Sequence, residues 1–175
     1  MLQLMYRLST SSLLFFVLTQ SIIATQIGNP ENLLQASKLL PLASKSIISD
    51  LWIQNKLVFA VGERGHILMS SDGQNFKQLA CPADQFLTAI TGDGKNHLWA
   101  VGHDSLILTS SDNGLSWKAT HLNIPAESPL FDIIYQGDRS VIAVGAYGYM
   151  VRSTDNGATW NHLKIDVKID EYEEP

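Results

Sequence analysis

Three carboxylates recur in one setting along this chain: Asp72 in "SSDGQNF", Asp112 in "SSDNGLSW" and Asp155 in "RSTDNGATW". A carboxylate flanked by glycine and hydroxyl residues can act as an acid or base, bind calcium, or hold its own main chain. Acid–base work requires such groups to converge on one substrate, whereas one aspartate per repeat spreads them apart. An EF-hand calcium loop needs further oxygen ligands at alternating positions and a late glutamate, and neither follows these aspartates. The third use suits the residues best. A short aspartate side chain accepts N–H groups across a tight turn, Gly114 and Gly157 can take positive φ, and a closing aromatic ring, Trp117 or Trp160, can cover the turn. Ser110, Asp112, Gly114 and Trp117 make one complete set and Ser153, Asp155, Gly157 and Trp160 another. Ser70, Asp72, Gly73 and Phe76 make a copy one residue shorter.

The elements that position these turns are also repeated. Ala-Val-Gly occurs at 60–62, 100–102 and 143–145, and each of its glycines precedes the motif aspartate by ten residues. In the second copy, residues 86–91 form an apolar strand, "GDGKN" a turn, "HLWAV" a second strand, "GHDS" another turn, "LILTSS" a third strand and "WKATHL" a fourth. The third copy follows as "FDIIYQ", "VIAV", "YMVRS" and "WNHLK", and the first begins at "SIISDLWI". The only helical hint is a short helix over 31–43, ended by Pro41. Four antiparallel strands per roughly 40–45 residues predict an all-β fold, a β-propeller segment of about three blades over 46–165. Each blade can bury its two apolar faces only against neighbouring blades.

The pattern Ser-x-Asp-x-Gly-x-Ser/Thr-Trp resembles the Asp-box, or BNR, repeat. "AVGERGHILMSSDG", "LWAVGHDSLILTSSDNGLSW" and "IAVGAYGYMVRSTDNGATW" together are similar to the photosystem II stability and assembly factors and their bacterial relatives. That resemblance covers roughly residues 46–165. It implies an exported, non-enzymatic protein that binds a protein partner, a membrane-protein complex under assembly, without a cofactor. It also implies a larger propeller of about seven blades. Three blades are therefore expected either to be part of a longer chain or to associate through their open edges and faces.

Composition agrees with a globular domain: 45% hydrophobic and 17% charged residues, with a net charge of −5 that disfavours nucleic acid. Arg7, the apolar stretch "LLFFVL" and the small residue Ala24 read as a signal peptide over 1–24, shorter in its apolar run than the roughly 20 residues of a membrane span. Export to the periplasm or medium is expected, or to the thylakoid lumen in an oxygenic phototroph. A lead-in occupies 25–45, and the acidic tail 166–175 follows the blades. Cys81 is the one cysteine, so no internal disulfide can form.

No catalytic, cofactor or metal residue stands out. His66, His97, His103, His121 and His162 lack zinc-like pairing, and no nucleophile elbow or phosphate loop occurs. Asp-box propellers include sialidases and other glycoside hydrolases, so a glycosidase fragment lacking its catalytic residues is the alternative reading. Such enzymes need facing carboxyl groups or a tyrosine nucleophile, and sialidases an arginine cluster. Arg64, Arg139 and Arg152 do not converge on the expected strands. Loops on a rigid scaffold suit recognition. Candidates for partner binding are thus Arg64, His103, Asp104 and Tyr147 in the turns after Ala-Val-Gly, and Arg152, which with Arg64 stands for the family's arginine-rich patch.

Overall fold

The computed structural model describes residues 35–122 and 128–164; the expected signal peptide, residues 25–34 of the lead-in and the tail lie outside them. The described residues form three four-stranded antiparallel sheets, each a meander in chain order. The first contains β1 (Ile48–Gln54), β2 (Leu57–Gly62), β3 (Ile67–Ser70) and β4 (Lys77–Leu79). The second contains β5 (Leu87–Gly92), β6 (Leu98–Gly102), β7 (Leu106–Ser110) and β8 (Lys118–His121), and the third β9 (Leu130–Gly137), β10 (Ser140–Gly145), β11 (Met150–Ser153) and β12 (Asn161–His162). β5 packs between β1 and β9, so the sheets stand side by side as three blades of a partial propeller.

Alternation along the strands explains why the central strand β6 of the middle blade is apolar along its length. Leu98 and Ala100 of β6 enter one core with Phe59, Val61 and Ile67 of the first blade. Trp99 and Val101 point the other way, into a second core with Ile133, Val141, Ala143 and Val151 of the third. A strand buried on both faces reads as a continuous hydrophobic run, and "LWAV" is one.

The glycine of each Ala-Val-Gly has an equally direct cause. A Cβ on Gly62, Gly102 or Gly145 would overlap the carbonyl oxygen of Ile47, Phe86 or Pro129, the residue just before or at the entry to the blade's first strand. Each of those carbonyls accepts the N–H of the residue after the glycine: Glu63 at 3.1 Å, His103 at 2.9 Å and Ala146 at 3.0 Å. Close backbone approach therefore fixes the tripeptide's last position.

Hydroxyls join one blade to the next. Ser49 Oγ donates toward Val61 O in its own blade (3.0 Å) and Leu87 O in the next (2.6 Å), and Thr88 Oγ1 repeats this with Val101 O (3.1 Å) and Leu130 O (2.7 Å). Asp50 Oδ2 adds a bond from Ile90 N at 2.9 Å.

The expected helix over 31–43 is absent from its described part. Residues 35–40 have no regular structure, and only Ala43–Lys45 makes a single 3₁₀ turn. The lead-in backbone bonds instead to the first blade: Leu40 N donates to Gln78 Oε1 (2.8 Å), Gln78 Nε2 to Lys38 O (2.9 Å) and Ser37 N to Cys81 O (3.1 Å). Ala43 then packs with Ala60, Leu68 and Phe76 on the blade's outer face. These tertiary contacts outweigh a weak local helical preference.

Candidate functional site

The two ends of the blades are built differently. At one end lie the turns between third and fourth strands. Asp112 Oδ1 accepts Ser116 N at 2.9 Å, its Oδ2 accepts the Ser116 hydroxyl, and Ser110 Oγ donates to Oδ1 at 2.8 Å. Asp155 repeats this with Thr159 N (2.9 Å), Thr159 Oγ1 (2.6 Å) and Ser153 Oγ (2.8 Å). Trp117 and Trp160 close the turns by donating Nε1–H to Gly114 O and Gly157 O, both at 3.1 Å.

The first copy adapts to its missing residue. Ser70 Oγ accepts Gly73 N three residues on, where Ser110 and Ser153 reach Gly114 and Gly157 four residues on. Asn75 then takes the place of Ser116, giving both its N–H (2.8 Å) and Nδ2 (2.8 Å) to Asp72.

These donors stabilise the ionised carboxylates. The Asn75 backbone and side-chain bonds, then Gln74 N–H and Ser70, hold Asp72 well below the usual carboxylate range. The Thr159 hydroxyl and N–H and the Ser153 hydroxyl bring Asp155 down to about 2, and Ser116 with Ser110 lowers Asp112.

The aspartate turns also lock neighbouring blades together. A Cβ on Gly114 would meet the ring of Phe59, and one on Gly157 the indole of Trp99, each a side chain of the preceding blade. Their φ values of 83° and 84° add a second reason for glycine. Trp99 Nε1 donates to Asn156 O at 3.0 Å, and Gln54 Nε2 donates to Asn113 Oδ1 at 2.9 Å.

The opposite end carries the turns between second and third strands. His66 N bonds Glu63 O (3.0 Å), Leu106 N bonds His103 O (3.1 Å) and Tyr149 N bonds Ala146 O (3.0 Å). Both central residues of each turn have positive φ: Arg64 55° and Gly65 65°, Asp104 55° and Ser105 57°, Tyr147 58° and Gly148 69°. These are type I′ hairpin turns, whose twist matches the strands they join. Gly65 N and Ser105 N further clasp the chain passing to the next blade, at Gln85 O (2.8 Å) and Ser128 O (3.1 Å).

Arg64, Asp104 and Tyr147 therefore occupy one equivalent position in three blades, with His103 one residue before it. His103 rests on the Phe86 ring at a centroid separation of 5.4 Å, and Tyr147 is 95% exposed. Arg152 lies elsewhere, on β11 in the third blade, where its Nε donates to Ser140 Oγ at 2.9 Å. Arg139 sits in the β9–β10 turn, bonded through its carbonyl to Asn156 N at the aspartate end. The three arginines are thus divided among a rim, a strand and the opposite rim. Among the described residues no three His, Cys, Asp or Glu side chains gather as a metal set, and no helix is long and apolar enough to cross a membrane.

Two features lay outside the sequence reading. Ser49 and Thr88 stand 13 and 14 residues before their blades' glycines, so no common spacing marked them. His66 aligns with Leu106 and Tyr149 when the repeats are set on Gly62, Gly102 and Gly145, and that departure from apolar character was visible without coordinates.

The profile of the photosynthesis system II assembly factor YCF48 family matches residues 72–172. No curated protein sequence matches the chain. A solved structure of YCF48 bound to D1 peptide is similar in fold, with a TM-score of 0.61 and 23% identity over 78% of this chain and 44% of that one. YCF48 from Cyanidioschyzon merolae gives 0.59 and 22% identity over 74% and 40%. An ancestral GH74 enzyme gives 0.54 and 12% over 67% and 20%, a likeness of fold alone. The chain spans less than half the length of these YCF48 structures. With more than half of its residues matched by that profile, the chain belongs to the YCF48 photosynthesis system II assembly factor family.

Proposed function

We propose that this chain is a non-catalytic, exported propeller segment whose β2–β3 rim binds a protein partner from a membrane complex under assembly. The observation that carries this reading is the contrast within that rim: one backbone conformation is kept in all three blades while its tip changes from Arg64 to Asp104 to Tyr147. Constant scaffolding with varied, exposed tips is the arrangement of a recognition surface. Family membership gives the partner its class, and the YCF48 relative bound to D1 peptide makes such a peptide the probe of choice. Separation of Arg64, Arg139 and Arg152 argues against a sialidase-like anion site. The test is binding of the purified chain to immobilised D1 peptide by surface plasmon resonance. Saturable binding that weakens in Tyr147→Ala supports the reading, and no saturable binding overturns a D1-type partner.

A second role rests on the outer faces. Leu51 and Ile53 on the first blade and Ile134 on the third are 57%, 64% and 59% exposed. By sheet register, Leu51 and Ile133 correspond to Ile90, each paired with the alanine of its Ala-Val-Gly. Ile90 and Ile133 are buried against the preceding blade, and Leu51 is not. We infer that this face pairs with another blade of the same repeat, and sedimentation velocity with Leu51→Arg tests it. A smaller species in the variant supports pairing; an unchanged sedimentation coefficient contradicts it.

A further inference from the structure

A cavity of about 390 Å³ opens where the lead-in passes the first blade's rim, and its walls include Lys38, Leu40, Arg64, His66 and Asp84. His66 is the unusual member. It is fully buried, and neither of its ring nitrogens has a hydrogen-bond partner. A buried imidazole in that state loses its water and gains nothing in return. Packing does not require it, because the same position holds Leu106 in the second blade and Tyr149 in the third. Burial also lowers the histidine's proton affinity, with Glu63 opposing that shift and Arg64 adding to it, and the neutral form that burial favours offers one N–H and one bare nitrogen.

The surrounding charges define what would satisfy it. Arg64 and Lys38 are exposed cations that line the cavity, Arg64 on a tip held by the Ser37 hydroxyl at 2.7 Å from its carbonyl. Asp84 offsets one of them, leaving a wall with a surplus of a single positive charge. That surplus fits a singly charged anion better than a phosphate dianion, and Arg64 can meet two oxygens at once. Leu40 and Ala36 supply apolar wall beside the charges, suited to a short hydrocarbon stem.

We propose that this cavity is a carboxylate-binding site in which Arg64 and Lys38 neutralise the anion and the orphaned His66 N–H contributes a hydrogen bond. The carboxylate belongs either to a small organic acid or to the end of a peptide chain. The site shares Arg64 with the proposed rim, so the two readings are told apart by His66→Leu, which leaves all three rim tips intact: loss of carboxylate binding with D1 peptide capture kept, or the reverse, distinguishes failure of one from failure of the other.

The test uses the whole chain labelled with ¹⁵N-histidine, with imidazole spectra followed during titration with sodium propionate. Acetyl-trialanine with a free carboxyl end and its amidated form provide two further arms. The expected result is a saturable shift of the His66 signals with propionate and none with sodium chloride at equal ionic strength. Arg64→Gln should weaken binding by about tenfold or more. His66→Leu, which installs the second blade's own residue, should unfold cooperatively and show no propionate heat by calorimetry. Tighter binding of the free tripeptide than of propionate assigns the site to peptide ends, and binding of propionate alone assigns it to small acids. No saturable shift with either carboxylate, or equal affinity in Arg64→Gln and the unaltered protein, overturns the proposal.

Discussion

The two rims of this propeller segment invert each other's rules. At the aspartate end the side chains stay constant, and their hydrogen bonds fix the main chain of each turn while Gly114 and Gly157 press against the neighbouring blade. At the other end the main chain stays constant in three type I′ turns, and the side chains change from blade to blade. Where side-chain chemistry is committed to structure, little is left for recognition. Where main-chain conformation defines the turn, the tip side chains are free to differ.

The largest expected effect comes from breaking the joint at the aspartate end. Trp99 is fully buried, lies against Gly157 and bonds Asn156 O, so Trp99→Ala removes a core side chain and an inter-blade bond together. A loss of about 4 kcal/mol is expected from urea unfolding. Ser153→Ala should cost less, about 1–2 kcal/mol, because the hydroxyl is buried and serves both Asp155 and Gly157 N.

Asp155→Asn sharpens the comparison through pH. The folded carboxyl is depressed from 3.8 to about 2, so its stabilising contribution is fully present above about pH 4 and fades as pH falls toward 2. The variant should melt below the unaltered protein at pH 7, with the gap closing across that window in thermal scans. A gap that persists at pH 2 would show that the carboxylate's charge is not what the turn uses. The smallest effect is expected at the other rim. Tyr147→Ala should change unfolding stability by under about 0.5 kcal/mol, since the ring is 95% exposed.

The blades were legible in the sequence because their constraints are local and repeated. The ten-residue interval from glycine to aspartate marks β3 and the turn after it, and alternation in "LWAV" marks a strand buried on both faces. The type I′ turns were less legible. Arg64 and Tyr147, unlike Asp104, are not residues that advertise positive φ, and their conformation is imposed by the strands on either side. The lead-in misled for a related reason. Its leucines suggest a helix, yet Gln78 and Cys81, some forty residues on, take its backbone bonds. Arg152 reads as a free surface cation until the fold brings Ser140 to its Nε.

The division of labour between the rims is tested most directly by the Arg64→Ala, Asp104→Ala, Tyr147→Ala triple variant, assayed for binding to immobilised D1 peptide with its melting temperature measured on the same sample. A melting temperature close to that of the unaltered protein together with lost binding is the predicted result. Undiminished binding by the folded triple variant would contradict it.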